Sequence, residues 1–342
     1  MNQGNAQPRQ IRYAVVGLGH LAQVAILPAF GNTTKSKLAA LVSGDARKLA
    51  CLGDKYGVRG RSTYDQYEQC LAGGVDAVYL VLPNHLHKEY TVRAAKAGVH
   101  VLCEKPLAVT QAECEEMISA AEENKVRLMV AYRLHLEEST LQAMDAVQGG
   151  SLGEVRIFSS DFTQQVSENN VRVTMPVGEG GGPVYDMGVY CINAARNFFR
   201  SEPIRIFAVS ANHEGPRFGK TEEMVSAVMH FPGERLATFT CSFGAADVDH
   251  YSLIGAGAAL TASPGYGYSS AHKHLLISNG TTEVRHFPKV DQFATQLDYF
   301  SDCVLHGKQP GPSGAEGLAD VRVIEAIYQS IRSGKVVSLK GR

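Results

Sequence analysis

The chain has 342 residues, 44% hydrophobic and 20% charged, which excludes a disordered chain and is the length of about two domains. With 33 Lys plus Arg against 34 Asp plus Glu, the net charge of −1 provides no field for nucleic acid or an anionic membrane surface. Seven cysteines with no C-x-x-C pair argue against a disulfide framework or a structural zinc site. No apolar run approaches the ~18 residues of a membrane span, and the opening MNQGNAQPRQ has no apolar leader core, so a cytoplasmic protein is expected.

In chain order, short apolar runs at 11–16, 37–42, 77–82, 99–103 and 127–131 predict five strands. Helical spacing lies between them: after 17, at 49–56, at 90–97 and at 111–123. Continuous apolar strands alternating with helices predict a doubly wound α/β domain with a parallel sheet. After residue 153 the pattern becomes EVRIFSSDF, IRIFAVSAN, MVSAVMHF and LATFTCSF, with strand-like alternation that predicts an antiparallel sheet. One helix is expected at 184–199 after three glycines, and two more at 291–305 and 313–331, the last following the breaker run QPGPSG. The expected domains are 1–131 and 132–342. The segments 162–179 and 243–268 read as loops that would carry specificity.

Gly17-Leu18-Gly19-His20-Leu21-Ala22 follows the first strand and opens a helix, the dinucleotide fingerprint in its G-x-G-x-x-A form. Gly17 allows the tight turn, Gly19 leaves room for a pyrophosphate, and Ala22 keeps helix and strand close; the helix start favours an anion. About 20 residues further on, where an acidic residue would bind the ribose 2′-OH of NAD, the chain has Ser43 and Gly44, then Arg47 and Lys48. That composition favours NADP over NAD. Asp45 dissents if its loop turns inward, and Arg47 and Lys48 also fit an ordinary solvated helix face. Leu82, Pro83, Asn84 and His87 lie past the third strand, at the carboxyl edge where ligands of open α/β folds collect; they are read as cofactor contacts or as polar groups of a helix start.

Glu104-Lys105-Pro106 follows the fourth strand. Pro106 fixes φ and permits a cis bond, which would aim Lys105 rigidly. A lysine beside a cationic nicotinamide has its pKa pushed down and can bond or help deprotonate a substrate hydroxyl. Further on, in GGGPVYDMGVY, three glycines allow close backbone approach, and Asp186 and Tyr190 stand four apart on one helix face.

Together the fingerprint, the Glu-Lys-Pro and the GGG-x3-D-x3-Y helix resemble the glucose–fructose oxidoreductase and inositol dehydrogenase family over nearly the whole chain. VVGLGHLA, ALVSG, YLVLPNHLH and AYRLH are similar to its glucose–fructose branch, although NNVRVTMPVGE lacks a Trp-Arg pair associated with that branch. The resemblance implies a Rossmann domain, then an α+β domain whose open sheet makes homodimer or homotetramer contacts, with the last helix packing back on the first domain. It implies NADP, often retained through turnover. It also implies catalytic roles for Lys105, Asp186 and Tyr190, with Glu104 at the cofactor and Tyr132 and Arg133 as further groups for sugar hydroxyls. The implied reaction moves a hydride between the anomeric carbon of an aldose and nicotinamide. Tyr190 would be the base, Lys105 would lower its pKa from ~10, and Asp186 would orient substrate or lysine. Two alternatives stay open: another polyol or carbonyl substrate (an inositol, an anhydrosugar, a dihydrodiol), and a non-catalytic dinucleotide-binding regulator.

Overall fold

The computed structural model describes residues 9–213 and 216–339. Most of the opening stretch read above for a leader lies outside the described residues. The chain forms two compact units: residues up to Leu107 with Ala112–Arg133 and Asp291–Glu316 make the first, and Ala108–Gln111, Leu134–Val290 and the residues from Gly317 on make the second.

In the first unit, strands β1 (Ile11–Val16), β2 (Ser36–Val42), β3 (Gly60–Ser62), β4 (Ala77–Leu80), β5 (His100–Cys103) and β6 (Leu128–Val130) form an all-parallel sheet in the order 3-2-1-4-5-6. This is the doubly wound arrangement expected from the sequence. β4 is buried at every position, as a central strand covered on both faces must be. The strand absent from the sequence reading is β3, whose Gly-Arg-Ser is an exposed edge with no apolar residue to betray it. The connecting helices are α1 (Leu27–Ala29), α2 (Ala46–Lys55), α3 (Tyr67–Ala72), α4 (His87–Lys96) and α5 (Gln111–Glu123).

The second unit opens with α6 (Glu138–Gln148) and β7 (Val155–Gln165), then the short α7 (Val171–Thr174) and α8 (Val189–Phe199). The strands that follow are β8 (Arg205–Ala211), β9 (Met224–Phe231), β10 (Arg235–Ser242), β11 (Gly244–Gly255), β12 (Ala258–Ala262), β13 (His272–Ser278) and β14 (Thr281–Phe287). Next come α9 (Gln292–Leu305), which packs on β1 and β2 within the first unit, and α10 (Gly314–Ser333). The chain ends in β15 (Val337–Ser338). The second sheet has nine strands in the order 14-13-12-11-7-10-9-8-15, antiparallel except where β7 and β10 run parallel. Residues 243–268, read from sequence as a loop, are corrected: β11 and β12 occupy most of them. Their Ala- and Gly-rich sequence has weak strand propensity, and only sheet pairing with β7 and β13 reveals them.

Candidate functional site

At the end of β1, Gly17 has φ +96° and donates its N–H to the Val42 carbonyl at 2.9 Å. A Cβ there would overlap the Val81 carbonyl, so the turn admits glycine only. The helix that follows starts with a π turn (Ala22–Ile26), closed by the Leu27 N–H on the Ala22 carbonyl. Pro28 explains it: a proline has no N–H for the carbonyl four residues back, so the ladder loosens around it. No side chain caps this helix start and its first turn has no acidic residue. A Cβ on Gly19 would meet nothing within 4 Å. An uncapped helix start beside open space fits a dinucleotide pyrophosphate, with Gly17, Gly19, His20, Leu21 and Ala22 as its cradle.

At the end of β2, Ser43 is buried and its Oγ accepts from the Asp45 N–H at 3.1 Å. Asp45, the dissenting residue, caps α2: its Oδ1 accepts from the N–H groups of Arg47 at 3.0 Å and Lys48 at 3.1 Å. Its carboxylate is thus committed to the helix, with Lys48 Nζ 3.8 Å from Oδ2, and Arg47 and Lys48 follow a small, uncharged Ser43-Gly44 step in the chain. The residues suit a 2′-phosphate better than a 2′-OH.

Two residues expected at the cofactor have inward-turned side chains. His87 is fully buried, its Nδ1 2.9 Å from the Pro106 carbonyl and its Nε2 3.0 Å from that of Leu82. Burial holds its pKa below the ordinary value although both carbonyls pull the other way. It braces the chain between β4 and the Glu-Lys-Pro turn, leaving neither nitrogen for a dinucleotide. Glu104 is also turned inward: Tyr79 donates its hydroxyl to Oε1 at 2.8 Å, and Gln296 of α9 donates to that hydroxyl at 2.9 Å. Burial raises the Glu104 carboxyl, opposed first by the Lys105 charge and then by the Tyr79 bond. Lys105, half-buried, follows on a cis peptide to Pro106. Leu82 is buried, Pro83 precedes a short 3₁₀ turn (Asn84–Leu86), and Tyr132 is buried. Arg133 donates to Gln292 Oε1 and lies over the Phe293 ring.

The second unit presents the other candidates. A Cβ on Gly181 would overlap the Met175 carbonyl, which is the close approach the glycine run permits. The helix beyond begins at Pro183 with a second π turn (Val184–Gly188) that contains Asp186, before α8 with Tyr190. The π turn changes the angle between Asp186 and Tyr190 about the helix axis from that of a regular helix. Asp186 is ion-paired with Arg172 of α7, whose Nη2 also donates to Gln164 Oε1 at 2.9 Å and whose guanidinium lies 4.9 Å from the Phe243 ring centre. No sequence signal pointed to Arg172, which sits in the segment noted for its missing Trp-Arg pair. Tyr190 packs edge-on against Phe162 at 5.7 Å and tilted against Tyr266 at 6.0 Å. Beneath it, Asn193 bridges His135 Nε2 at 2.8 Å and the fully buried Asp320 at 2.8 Å, and Arg196 closes on Asp320 at 2.5 Å. A buried carboxylate with both an amide and a guanidinium partner fixes α8 in place.

The first unit is thus a dinucleotide-binding Rossmann unit, and the second offers a carboxylate and a phenol on one helix beside a glycine run. Comparison with known proteins agrees. Residues 11–132 match the "Oxidoreductase family, NAD-binding Rossmann fold", and residues 140–261 match the "GFO/IDH/MocA C-terminal domain". The chain belongs to this GFO/IDH/MocA family of oxidoreductases. It superposes on the crystal structure of an aldose-aldose oxidoreductase from Caulobacter crescentus, complexed with glycerol, with a TM-score of 0.92 and 35% identity, covering 97% of this chain and 100% of that one. It is 29% identical to the D-xylose 1-dehydrogenase [NADP(+)] of Haloarcula marismortui, covering 98% and 94% of the two chains. It is also similar, with a TM-score of 0.86 and 26% identity, to a 3-ketoreductase from Actinomadura kijaniata in complex with NADP and TDP-benzene, covering 94% and 98%. Among the described residues, no helix is long and apolar enough to cross a membrane, and no group of three or more His, Cys, Asp or Glu is placed to hold a metal ion.

Proposed function

We propose that this protein is an NADP-dependent aldose oxidoreductase that moves a hydride between the anomeric carbon of a free sugar and nicotinamide. NADP, when bound, supplies the hydride acceptor or donor. The observation that carries the cofactor choice is the commitment of Asp45 to the α2 cap beside Ser43, Arg47 and Lys48. The sugar reading is supported by the likeness to the aldose-aldose oxidoreductase and the xylose dehydrogenase. Tyr190 takes the proton of the anomeric hydroxyl, and Lys105 binds a substrate hydroxyl. Asp186, neutralised by Arg172, is a poor base and a good acceptor, so its role is to hold a substrate hydroxyl. Tyr132 and Arg133 contribute further hydroxyl contacts. If NADP stays bound, a second sugar returns the hydride and the kinetics are ping-pong.

The likeness to a 3-ketoreductase favours one second reading, in which the same groups deliver a proton to the carbonyl of a keto-sugar. The protein acts as a homodimer or homotetramer through the outer face of its large sheet. That face exposes Phe207, Val209, Val228 and Leu236 on β8 to β10, each at least 39% accessible, which supports contact with a second copy. All seven cysteines are unpaired, which supports work in a reducing compartment such as the cytoplasm.

The test is the absorbance near ~340 nm of the purified protein, before and after an aldose panel, without and then with added NADP. A rise with one sugar that a second sugar reverses is the expected result. No change with any aldose, and oxidation of NADPH by a keto-sugar instead, selects the second reading.

A further inference from the structure

The Tyr190 ring packs against Phe162 and Tyr266, which stack on each other at 5.2 Å with 18° between their planes. Phe162 belongs to β7, so its position follows from the sheet. Tyr266 does not: it sits on the turn between β12 and β13, outside any strand. Its ring is buried and its hydroxyl is 2.7 Å from Ser160 Oγ, which in turn donates to the His250 carbonyl at 2.8 Å. Something must fix the turn itself, and two groups grip it from opposite sides.

From β11, Asp249 accepts the Gly265 N–H on its carboxylate at 2.8 Å and on its carbonyl at 3.0 Å, and the amides of Tyr266 and Gly267 turn to the same carboxylate. A Cβ on Gly265 would lie 2.9 Å from the Tyr251 ring, and one on Gly267 2.9 Å from Asp249 Oδ2, so the backbone wraps the carboxylate where no side chain fits. From β13, His272 meets the Gly267 carbonyl with Nε2 at 2.7 Å; a carbonyl only accepts, so this nitrogen carries the proton. The other nitrogen is 2.7 Å from Ser139 Oγ and 3.9 Å from Glu137 Oε1, at the start of α6, and His272 and Glu137 are both buried. Asp249 is half-buried, and a carboxylate that takes up backbone N–H groups there fixes the turn through directed bonds that an apolar side chain could not make.

We infer that Asp249 and His272 are positioning residues for Tyr190: they lock residues 264–268 so that Tyr266, backed by Phe162, fixes the tyrosine ring on its helix. This rests on the role proposed for Tyr190. A base displaced by about 1 Å loses on the order of 10²-fold in rate while substrate and cofactor still bind.

The experiment compares Asp249→Ala, Asp249→Asn, His272→Leu and Tyr190→Phe with the wild-type protein. It reads kcat and KM for the oxidised aldose, NADPH binding by fluorescence titration, and amide hydrogen exchange across 263–271. Asp249→Ala is expected to expose the turn to exchange and lower kcat about 10- to 100-fold, with KM and NADPH affinity within about twofold. Asp249→Asn keeps an acceptor oxygen and is expected to recover most of the rate. His272→Leu attacks the second grip and gives the same pattern if Asp249→Ala does not fold. Variants that free the turn yet keep full kcat overturn the inference, as does a turn that stays protected in both. A fully active Tyr190→Phe overturns the role of the tyrosine and the inference with it. An inactive Tyr190→Phe beside a fully active Asp249→Ala overturns the inference alone.

Discussion

The two motif helices start alike and end up with opposite electrostatics. Each follows a backbone approach that only glycine permits, Gly17 against Val81 and Gly181 against Met175, and each opens with a π turn next to a proline. The first start is bare: no side-chain cap, no acidic residue, space beside Gly19. The second carries Asp186 in its first turn, already bound by Arg172. A bare helix start is an anion site; an occupied one holds a carboxylate still. On the proposed function, similar local geometry serves a diphosphate in one unit and a fixed hydroxyl acceptor in the other.

The largest effects are expected where chemistry is assigned. Lys105→Met should lower kcat about 10²- to 10⁴-fold with NADPH affinity retained, and Tyr190→Phe should match it, read by steady-state rates and fluorescence titration. Equal losses of cofactor affinity in both would break the assignment of these two residues to the chemistry and not to cofactor binding. Next come the glycines. Gly17→Ala and Gly181→Ala should each cost at least about 2 kcal/mol in chemical denaturation, since a Cβ overlaps a carbonyl in both. Gly17→Ala should weaken NADPH binding, whereas Gly181→Ala should raise the sugar KM and leave NADPH binding intact.

Sequence made the first unit readable because its central strands are continuous apolar runs and its turn demands glycine. The edge strand β3 escaped because Gly-Arg-Ser has neither apolar content nor alternation. β11 and β12 escaped because alanines and glycines read as loop until a paired strand holds them. In the candidate site, Asp186 and Tyr190 were visible through their spacing. The π turn that separates them arises from Pro183 and packing, and the Arg172 partner comes from a four-residue helix with no motif of its own. His87 and Glu104 sat in the right place in the chain for cofactor contacts. Their inward turn depends on carbonyls and a tyrosine far away in sequence, which no local pattern encodes. Asp249 and His272 left no trace either, since what they hold is a backbone turn.

Two buried histidines, one in each unit, extend the comparison to pH. His87 has a carbonyl on each nitrogen, whereas His274 Nε2 has no partner among the described residues. Burial, then the His272 and Arg285 charges, push His274 down from 6.5 to about 4. The unfolded chain therefore takes up a proton below its ordinary pKa that the folded chain refuses. Stability from this group is intact above about pH 6.5 and is lost as pH falls toward 4, about 3 kcal/mol across that window. His274→Phe should flatten the acid limb of a denaturation series by that amount and cost little at pH 8. His87→Phe should cost stability at every pH, because the carbonyl that accepts the one imidazole N–H loses its donor.

The smallest effect concerns α2, the helix that follows β2. Asp45→Ala removes the α2 cap, worth about 1 kcal/mol and a few degrees in Tm. Since the carboxylate faces its own helix, the ratio of kcat/KM for NADP over NAD should not move. Arg47→Ala with Lys48→Ala should do the reverse, leaving stability within about 0.5 kcal/mol and lowering that ratio about tenfold or more, the loss of charge-assisted bonds to a 2′-phosphate. A drop in NAD use with Asp45→Ala would show that the aspartate leaves its cap to take the ribose. In that case both units would meet their ligand through an aspartate, Asp45 ahead of α2 and Asp186 ahead of α8.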